Sequence, residues 1–257
     1  MSADGDLGTM FEEPEGFYKP EKQPTFVTHT LPDGRELQLR LVGQNPLWRQ
    51  QGHYLWNAGR TISDVLYGQP TESIKGTTVL ELGAGAGLPG LTCALKGAAC
   101  VVVTDYPDEE LIENIRYNIT HCSLLPDQTS VHTQGYLWGA STDSLLSLLP
   151  ASNESGFDVL ILADLLFNHS EHGKLVSSIQ KTLKKTSEAR AFVFFTPYRP
   201  WLLQKDLAFF DLAKAAGFTV EKTLEKVMDK VMFEEDPGGV QDELLRRTVY
   251  GYELRWA

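Results

Sequence analysis

The chain has 257 residues, is 42% hydrophobic and 22% charged, and carries a formal net charge of −11. That length and apolar content can bury a sizeable core in one α/β domain with decorations, and the acidic balance argues against a nucleic-acid backbone as main partner, because such contacts need clustered Lys and Arg. No run approaches the roughly 18 to 20 apolar residues of a membrane span, and the acidic, proline-bearing start is unlike a targeting peptide, so no membrane partner and a cytoplasmic location are expected.

Residues 1–24 are polar and aperiodic and carry Pro14, Pro20 and Pro24, the composition of a flexible acidic arm. Phe11, Phe17 and Tyr18 leave a second reading open, a latch that orders over a bound peptide. From residue 25 to 257 a single domain is expected. "TFVTHTL", "PDG" and "RELQLRLVG" alternate apolar and polar residues around a Pro-Asp-Gly turn, which predicts a hairpin. "HYLWNAGRTISDVLYG" follows with helical spacing and stops at Gly68. Hairpin and helix together fill 25–76.

From 77 to 257 the rhythm changes. "TTVLELG", "ACVVVTDY", "SVHTQGY", "FDVLILAD" and "RAFVFFTPY" read as five strands, with helices near 87–97, 109–121, 169–185 and 201–216. This alternation implies a parallel sheet covered on both faces. The last two strand-like runs, "FTVEKTLEKVM" and "TVYGYELRW", have only a loop between them and predict an antiparallel hairpin at one sheet edge. Cys93, Cys100 and Cys122 are odd in number and show no CxxC spacing, as expected for free thiols in a reducing compartment.

The chemistry concentrates in "VLELGAGAGLPG", residues 79 to 90. Gly83, Gly85 and Gly87 let a bulky ligand approach the backbone, and the helix that follows points unpaired N–H groups at the same place. "GAGLPG" is a literal GxGxxG, with Asp105 closing the next strand, so spacing alone satisfies a dinucleotide fingerprint. The turn, however, begins two residues early at Gly83, and Glu81 would sit badly beside a pyrophosphate and well beside an ammonium group. No Gly-Lys-Ser/Thr follows, which removes a P-loop. A ligand with a ribose, no phosphates and positive charge suits the pattern.

Val79 to Gly87 resembles the first motif of the seven-stranded class I methyltransferases, and the terminal hairpin resembles the antiparallel last strand of that Rossmann-like α/β fold. The resemblance implies S-adenosyl-L-methionine as cofactor and S-adenosyl-L-homocysteine as its product. The glycine loop, with Glu81, Gly83, Ala84, Gly85 and Gly87, would wrap the methionine moiety, and Asp105, followed by Tyr106, would hold the ribose hydroxyls. After the fourth strand, "ADLLFNH" begins at Ala163, and Asp164-Leu165-Leu166-Phe167 resembles the Asp/Glu-x-x-Tyr/Phe signature of methyltransferase family 16, the lysine-type protein methyltransferases. Trp56 and Trp138 fall where that family places two tryptophans of the cofactor site, Trp138 against the adenine and Trp56 over the methionine end. For each indole, core packing is the alternative.

A carboxylate can accept hydrogen bonds from an incoming amine, and an aromatic face stabilises a cation by about 0.5 to 2 kcal/mol. Asp164 is therefore the expected receiver of the acceptor amine and Phe167 the wall of its pocket, with Asn168, Tyr198 and Trp201 as further substrate contacts. The competing reading makes Asp164 a helix cap and Phe167 a core residue. "FEEPEGFY", "NPLW", "LWNAGR", "TDYPD" and "DLLFNHSEH" are similar to a fungal branch of the family that methylates translation elongation factor 1-alpha on its N-terminal glycine and the adjacent lysine. That similarity implies a basic N-terminal peptide as partner, and a monomer is expected; Arg49 to Gln51 lengthens one link relative to it. His169 and His172, with Glu171 between them, lack the third and fourth ligands of a zinc site, so helix surface is expected and no metal. Three alternatives stay open: an N-methyltransferase for nicotinamide or another small molecule, an idle binding module, and an NAD-dependent enzyme.

Overall fold

Apolar residues run continuously through the central strands because both of their faces are covered. The computed structural model describes residues 24–42, 54–126, 129–151, 155–233 and 242–257. Arg49 to Gln51, and all of the N-terminal arm but Pro24, lie outside the described residues. An antiparallel hairpin of β1 (Thr25–Thr30) and β2 (Glu36–Leu41) comes first, followed by α1 (Asn57–Gly68). The core then alternates β3 (Thr78–Leu82), α2 (Leu88–Leu95), β4 (Cys100–Asp105), α3 (Glu109–Thr120), β5 (Val131–Gly135), α4 (Asp143–Leu146), β6 (Val159–Ala163), α5 (His172–Thr182), β7 (Arg190–Phe195) and α6 (Leu203–Ala215). It closes with β8 (Phe218–Val227), α7 (Glu243–Arg246) and β9 (Thr248–Trp256). No helix among the described residues is long and apolar enough to cross a membrane.

The seven-stranded sheet has the order β5-β4-β3-β6-β7-β9-β8, parallel from β5 to β7, with β9 antiparallel to both of its neighbours. Side chains alternate across each strand. Leu80, Leu82, Leu160 and Leu162 enter one core layer with Leu175 and Ile179 of α5 and Phe209 of α6. Val79, Val159 and Ile161 enter the opposite layer with Ile62 of α1, Cys93 of α2 and Ile115 of α3. The expected hairpin at the sheet edge is present, as β8 and β9.

Local departures from expectation are short. The helix expected from 53 begins at Asn57, and the one expected near 169 starts as a 3-10 turn, His169–Glu171, before α5. The single turns α4 and α7 have no counterpart in the sequence reading.

The N-terminal hairpin lays Leu37, Leu39 and Leu41 against Leu88 and Leu91 of α2. Its polar anchor is Arg40, whose backbone N–H donates to Asn118 Oδ1 (2.7 Å) and whose Nε donates to Asn114 Oδ1 (2.9 Å). The Asn118 amide also donates to the carbonyls of Arg40 and of Ala86, each at 3.0 Å, and so ties the hairpin to the glycine turn. Asn118→Ala would take the side-chain partner from the Arg40 N–H and the Ala86 carbonyl, while the Arg40 carbonyl keeps the Asn114 amide (3.0 Å), an expected cost of about 1–3 kcal/mol. A lower melting temperature, and amide exchange that accelerates in β1 and β2 before the central strands, would check it.

Candidate active site

The strand order reverses direction between β3 and β6, and at such a switch point the loops leaving the carboxyl ends of the strands part to form a crevice. A cavity of about 360 Å³ lies there, a size suited to a small ligand. The connections after β3, β4, β5 and β6 line it, with the segment that enters α1.

The turn after β3 takes its shape from three left-handed positions, Gly83 (φ 62°), Gly85 (φ 57°) and Gly87 (φ 77°). A Cβ on Gly83 would come within 2.6 Å of Leu165 and 3.3 Å of Trp138, so the turn can pass only as bare backbone. Gly90 has a different task. Its N–H, in the first turn of α2, donates to Glu81 Oε2 (2.8 Å), and a Cβ there would meet that oxygen at 2.7 Å and Val103 at 2.8 Å. The third glycine of the literal GxGxxG therefore makes room for a carboxylate, which fills the helix N-terminus where a dinucleotide fold would bind pyrophosphate.

Glu81 is 1% exposed, and burial pushes its carboxyl up to about 8, against the lowering effect of the Gly90 N–H. Asp105 receives the N–H groups of Gly85 and Tyr106, each at 2.7 Å, while burial raises its carboxyl above the ordinary range. Tyr106 and Leu137 are exposed at this end of the cavity, and Trp138 is half-buried against the core.

At the other end stands Asp164, the one non-glycine residue with positive φ (55°) among the described residues. Its carboxylate accepts from the backbone N–H groups of Thr196 (2.7 Å) and Ala58 (2.9 Å) and from the Tyr198 hydroxyl (3.3 Å). Ala58 lies in the first turn of α1, whose N-cap, Trp56, offers no side-chain cap. Asp164 thus caps a helix, but α1 from across the sheet rather than the helix that follows it. Burial pushes its carboxyl up to about 7, and burial with Asp164 alongside drives the Tyr198 hydroxyl well above its usual value. Tyr198 also accepts from Asn57 N–H (3.2 Å) and packs on Trp56, ring centres 5.1 Å apart.

Three contacts fix the connection after Asp164. Arg199 donates to the Phe167 carbonyl (2.7 Å), His169 pairs with Asp206 (2.6 Å), and His172 meets the Leu166 carbonyl (2.8 Å). The two histidines are thereby engaged in holding this loop. Among the described residues no group of three or more His, Cys, Asp or Glu is arranged to hold a metal ion.

Of the residues singled out from sequence, Trp56, Glu81, Gly83, Ala84, Gly85, Asp105, Tyr106, Trp138, Ala163, Asp164, Phe167 and Asn168 line this one cavity. Gly87, Tyr198 and Trp201 do not. Gly87 caps α2, Tyr198 supports the wall from behind, and Trp201 is 44% exposed outside it. Tyr54, Leu137 and Glu171 also line the cavity and were missed. Tyr54 had a readable signal, since it sits two residues before Trp56 in an extended stretch and so shares its side of the chain.

Four carboxylates (Glu81, Asp105, Asp164 and Glu171) and no Lys, Arg or His line the cavity among the described residues. Such a lining repels phosphates and accepts a cation.

The profile of a family described as lysine methyltransferase, methyltransferase family 16, matches residues 36–216. The chain belongs to this family. As a family 16 member it is an S-adenosylmethionine-dependent methyltransferase. It is 49% identical to the protein N-terminal and lysine N-methyltransferase efm7 of Aspergillus fumigatus, over 98% of this chain and 95% of that protein. The protein of the same name in Schizosaccharomyces pombe is 43% identical over 95% of this chain and 94% of its own. Among solved structures, the YcgJ protein of Bacillus subtilis has a TM-score of 0.52 at 14% identity, covering 74% of this family 16 chain and 97% of its own. SMU.776 complexed with SAH has a TM-score of 0.52 at 11% identity, covering 91% of this chain and 57% of its own. These two likenesses concern the fold.

The cavity fits the family's cofactor. The bare turn leaves open space beside Gly85, Asp105 keeps lone pairs for hydroxyl donors, and the acidic lining suits the positive charges of an ammonium and a sulfonium.

Proposed function

We propose that the chain methylates the N-terminal α-amine of a protein beginning Gly-Lys, and the lysine beside it, with translation elongation factor 1-alpha as the cytoplasmic substrate. The observation that carries this reading is the cation-free, four-carboxylate cavity in a chain 49% identical to N-terminal and lysine N-methyltransferases. In this reading residues 25–257 work as one monomeric catalytic domain. Nicotinamide has no comparable support, because the relatives carry protein-directed names and nothing in the acidic lining answers to that small ring.

When bound, S-adenosylmethionine supplies an electrophilic methyl on a positively charged sulfur. The chain's residues must present a neutral amine to it in line, and such positioning supplies about 7 to 11 kcal/mol in favourable cases. In the assignment proposed here, Glu81 faces the cofactor's ammonium, Asp105 its ribose, and Tyr106 and Trp138 its base, with Ala84, Gly85 and Ala163 lining the passage between. Gly87 acts indirectly, by setting the start of α2.

Asp164 and Phe167 take the acceptor end, with Asn168 beside them. Because three donors already occupy the Asp164 carboxylate, its first contribution is to hold Trp56, Tyr198 and the start of α1 in place, and its remaining lone pairs orient the amine. Trp201, on the outside, is left to peptide residues beyond the first two.

Amine protonation ranks the two acceptors. Reference values of about 7.7 to 8.0 for an α-amine and 10.4 for lysine make neutralisation at pH 7 cost about 1 and about 4.6 kcal/mol. The α-amine is the easier substrate, and lysine depends on desolvation against the aromatic wall.

Intact-mass measurement on synthetic peptides beginning Gly-Lys tests the reading. Methyl additions are expected on the free peptide, fewer when the N-terminus is acetylated or Lys is replaced by Arg, and none when both are changed. Absence of any addition to the free peptide, or methylation of nicotinamide alone, would overturn it.

A further inference from the structure

Of the four carboxylates that line the cavity, three are engaged by groups of the fold. Glu81 holds Gly90 N–H, Asp105 holds those of Gly85 and Tyr106, and Asp164 holds Thr196, Ala58 and Tyr198. Glu171 differs. Its side chain pairs with Lys174 Nζ, at 2.9 Å to Oε2 and 3.1 Å to Oε1, and that lysine is 56% exposed one turn along α5. An exposed pair of this kind is weak. Lys174 also sits in the first turn of α5, where the helix dipole disfavours a positive charge. Glu171 lies on the same connection as Phe167 and Asn168, at the acceptor end of the cavity.

We infer that Glu171 is a specificity-determining residue, the carboxylate that takes the ammonium of a cationic side chain next to the methylated α-amine, with the substrate's lysine displacing Lys174. The inference rests on the acceptor reading above and adds the residue that reads the second position of the peptide. It also explains how an acidic cavity can be selective: buried carboxylates bound to backbone donors cannot turn toward a peptide, and Glu171 can.

The test measures α-amine methylation, located by fragmentation, on two peptides that differ only in having Lys or norleucine at the second position. The wild-type enzyme is expected to show a KM for the Lys peptide about five-fold lower, the size of an ion pair at a wet rim. Glu171→Gln should abolish that ratio while leaving cofactor affinity by calorimetry unchanged, and Lys174→Ala should lower the KM for the Lys peptide by removing the competing cation. If Glu171→Gln raises both KM values equally, or the ratio survives it, the inference is overturned while the proposed function stands. If the wild-type enzyme methylates neither peptide, the proposed function falls and the inference with it.

Discussion

Asp164→Ala is expected to lower the melting temperature by roughly 6–12 °C and to reduce methyl transfer about a hundredfold. The substitution strands two buried donors, the N–H groups of Ala58 and Thr196, and leaves the Tyr198 hydroxyl only the Met232 sulfur (3.4 Å) in place of a carboxylate that is 8% exposed. Leaving buried donors without acceptors costs about 1–3 kcal/mol each, and an alanine would have to adopt the left-handed backbone of position 164, which costs about 1–2 kcal/mol more. Part of the loss will relax as the start of α1 shifts. That shift is what should damage catalysis, because it moves Trp56, and an error of about 1 Å in a positioning group can cost a hundredfold. Thermal melts and kcat/KM on the same preparation separate the roles. A variant that melts like the wild type yet cannot methylate would place Asp164 on the acceptor alone.

Wild-type stability is expected to fall as pH rises from 6 to 8, and Glu81→Gln is expected to remove much of that slope. In the unfolded chain Glu81 and Asp164 ionise near 4.5 and 3.8; in the fold burial pushes them up to about 8 and about 7. A carboxyl raised in this way stabilises the protein fully below its unfolded value, and the contribution drains away as pH climbs through the folded value. Between the two, each such group lowers stability by about 1.4 kcal/mol per pH unit. Glutamine at 81 keeps an acceptor for Gly90 N–H and does not titrate, so its melting temperature should overtake the wild type on the alkaline side. A cation beside Glu81 favours the ionised form, so cofactor affinity should rise with pH over the same window, by up to about tenfold per unit. Calorimetry at pH 6, 7 and 8 on both proteins measures this, and equal stability slopes would show that Glu81 is already ionised in the fold over that window.

Much of the fold was legible because the central strands are buried on both faces, so β4, β6 and β7 announce themselves as apolar runs, and β3 as a run broken only by Glu81. The turns α4 and α7, four residues each, cannot display a 3.6-residue period and could not be read. The start of α1 was misplaced for another reason: its cap is supplied by Asp164, far along the chain, and no local signal marks it. The glycine turn and Asp105 were readable as a motif, whereas the purpose of Gly90 became clear only once Glu81 was seen folded back onto α2. Glu171 looked like helix surface, since nothing nearby in sequence says that its connection curls over the cavity.

That connection leaves natural selection two nearly separate handles. Phe167, Asn168, Ser170 and Glu171 reach the cavity from a single short stretch, while the bare turn and its acidic partners belong to the neighbouring strands β3 and β4. Leu165, packed beside Gly83, lies where the two meet. On the assignment proposed above, substitutions confined to Phe167–Glu171 would alter the acceptor's surroundings while leaving the turn after β3 and its carboxylates in place.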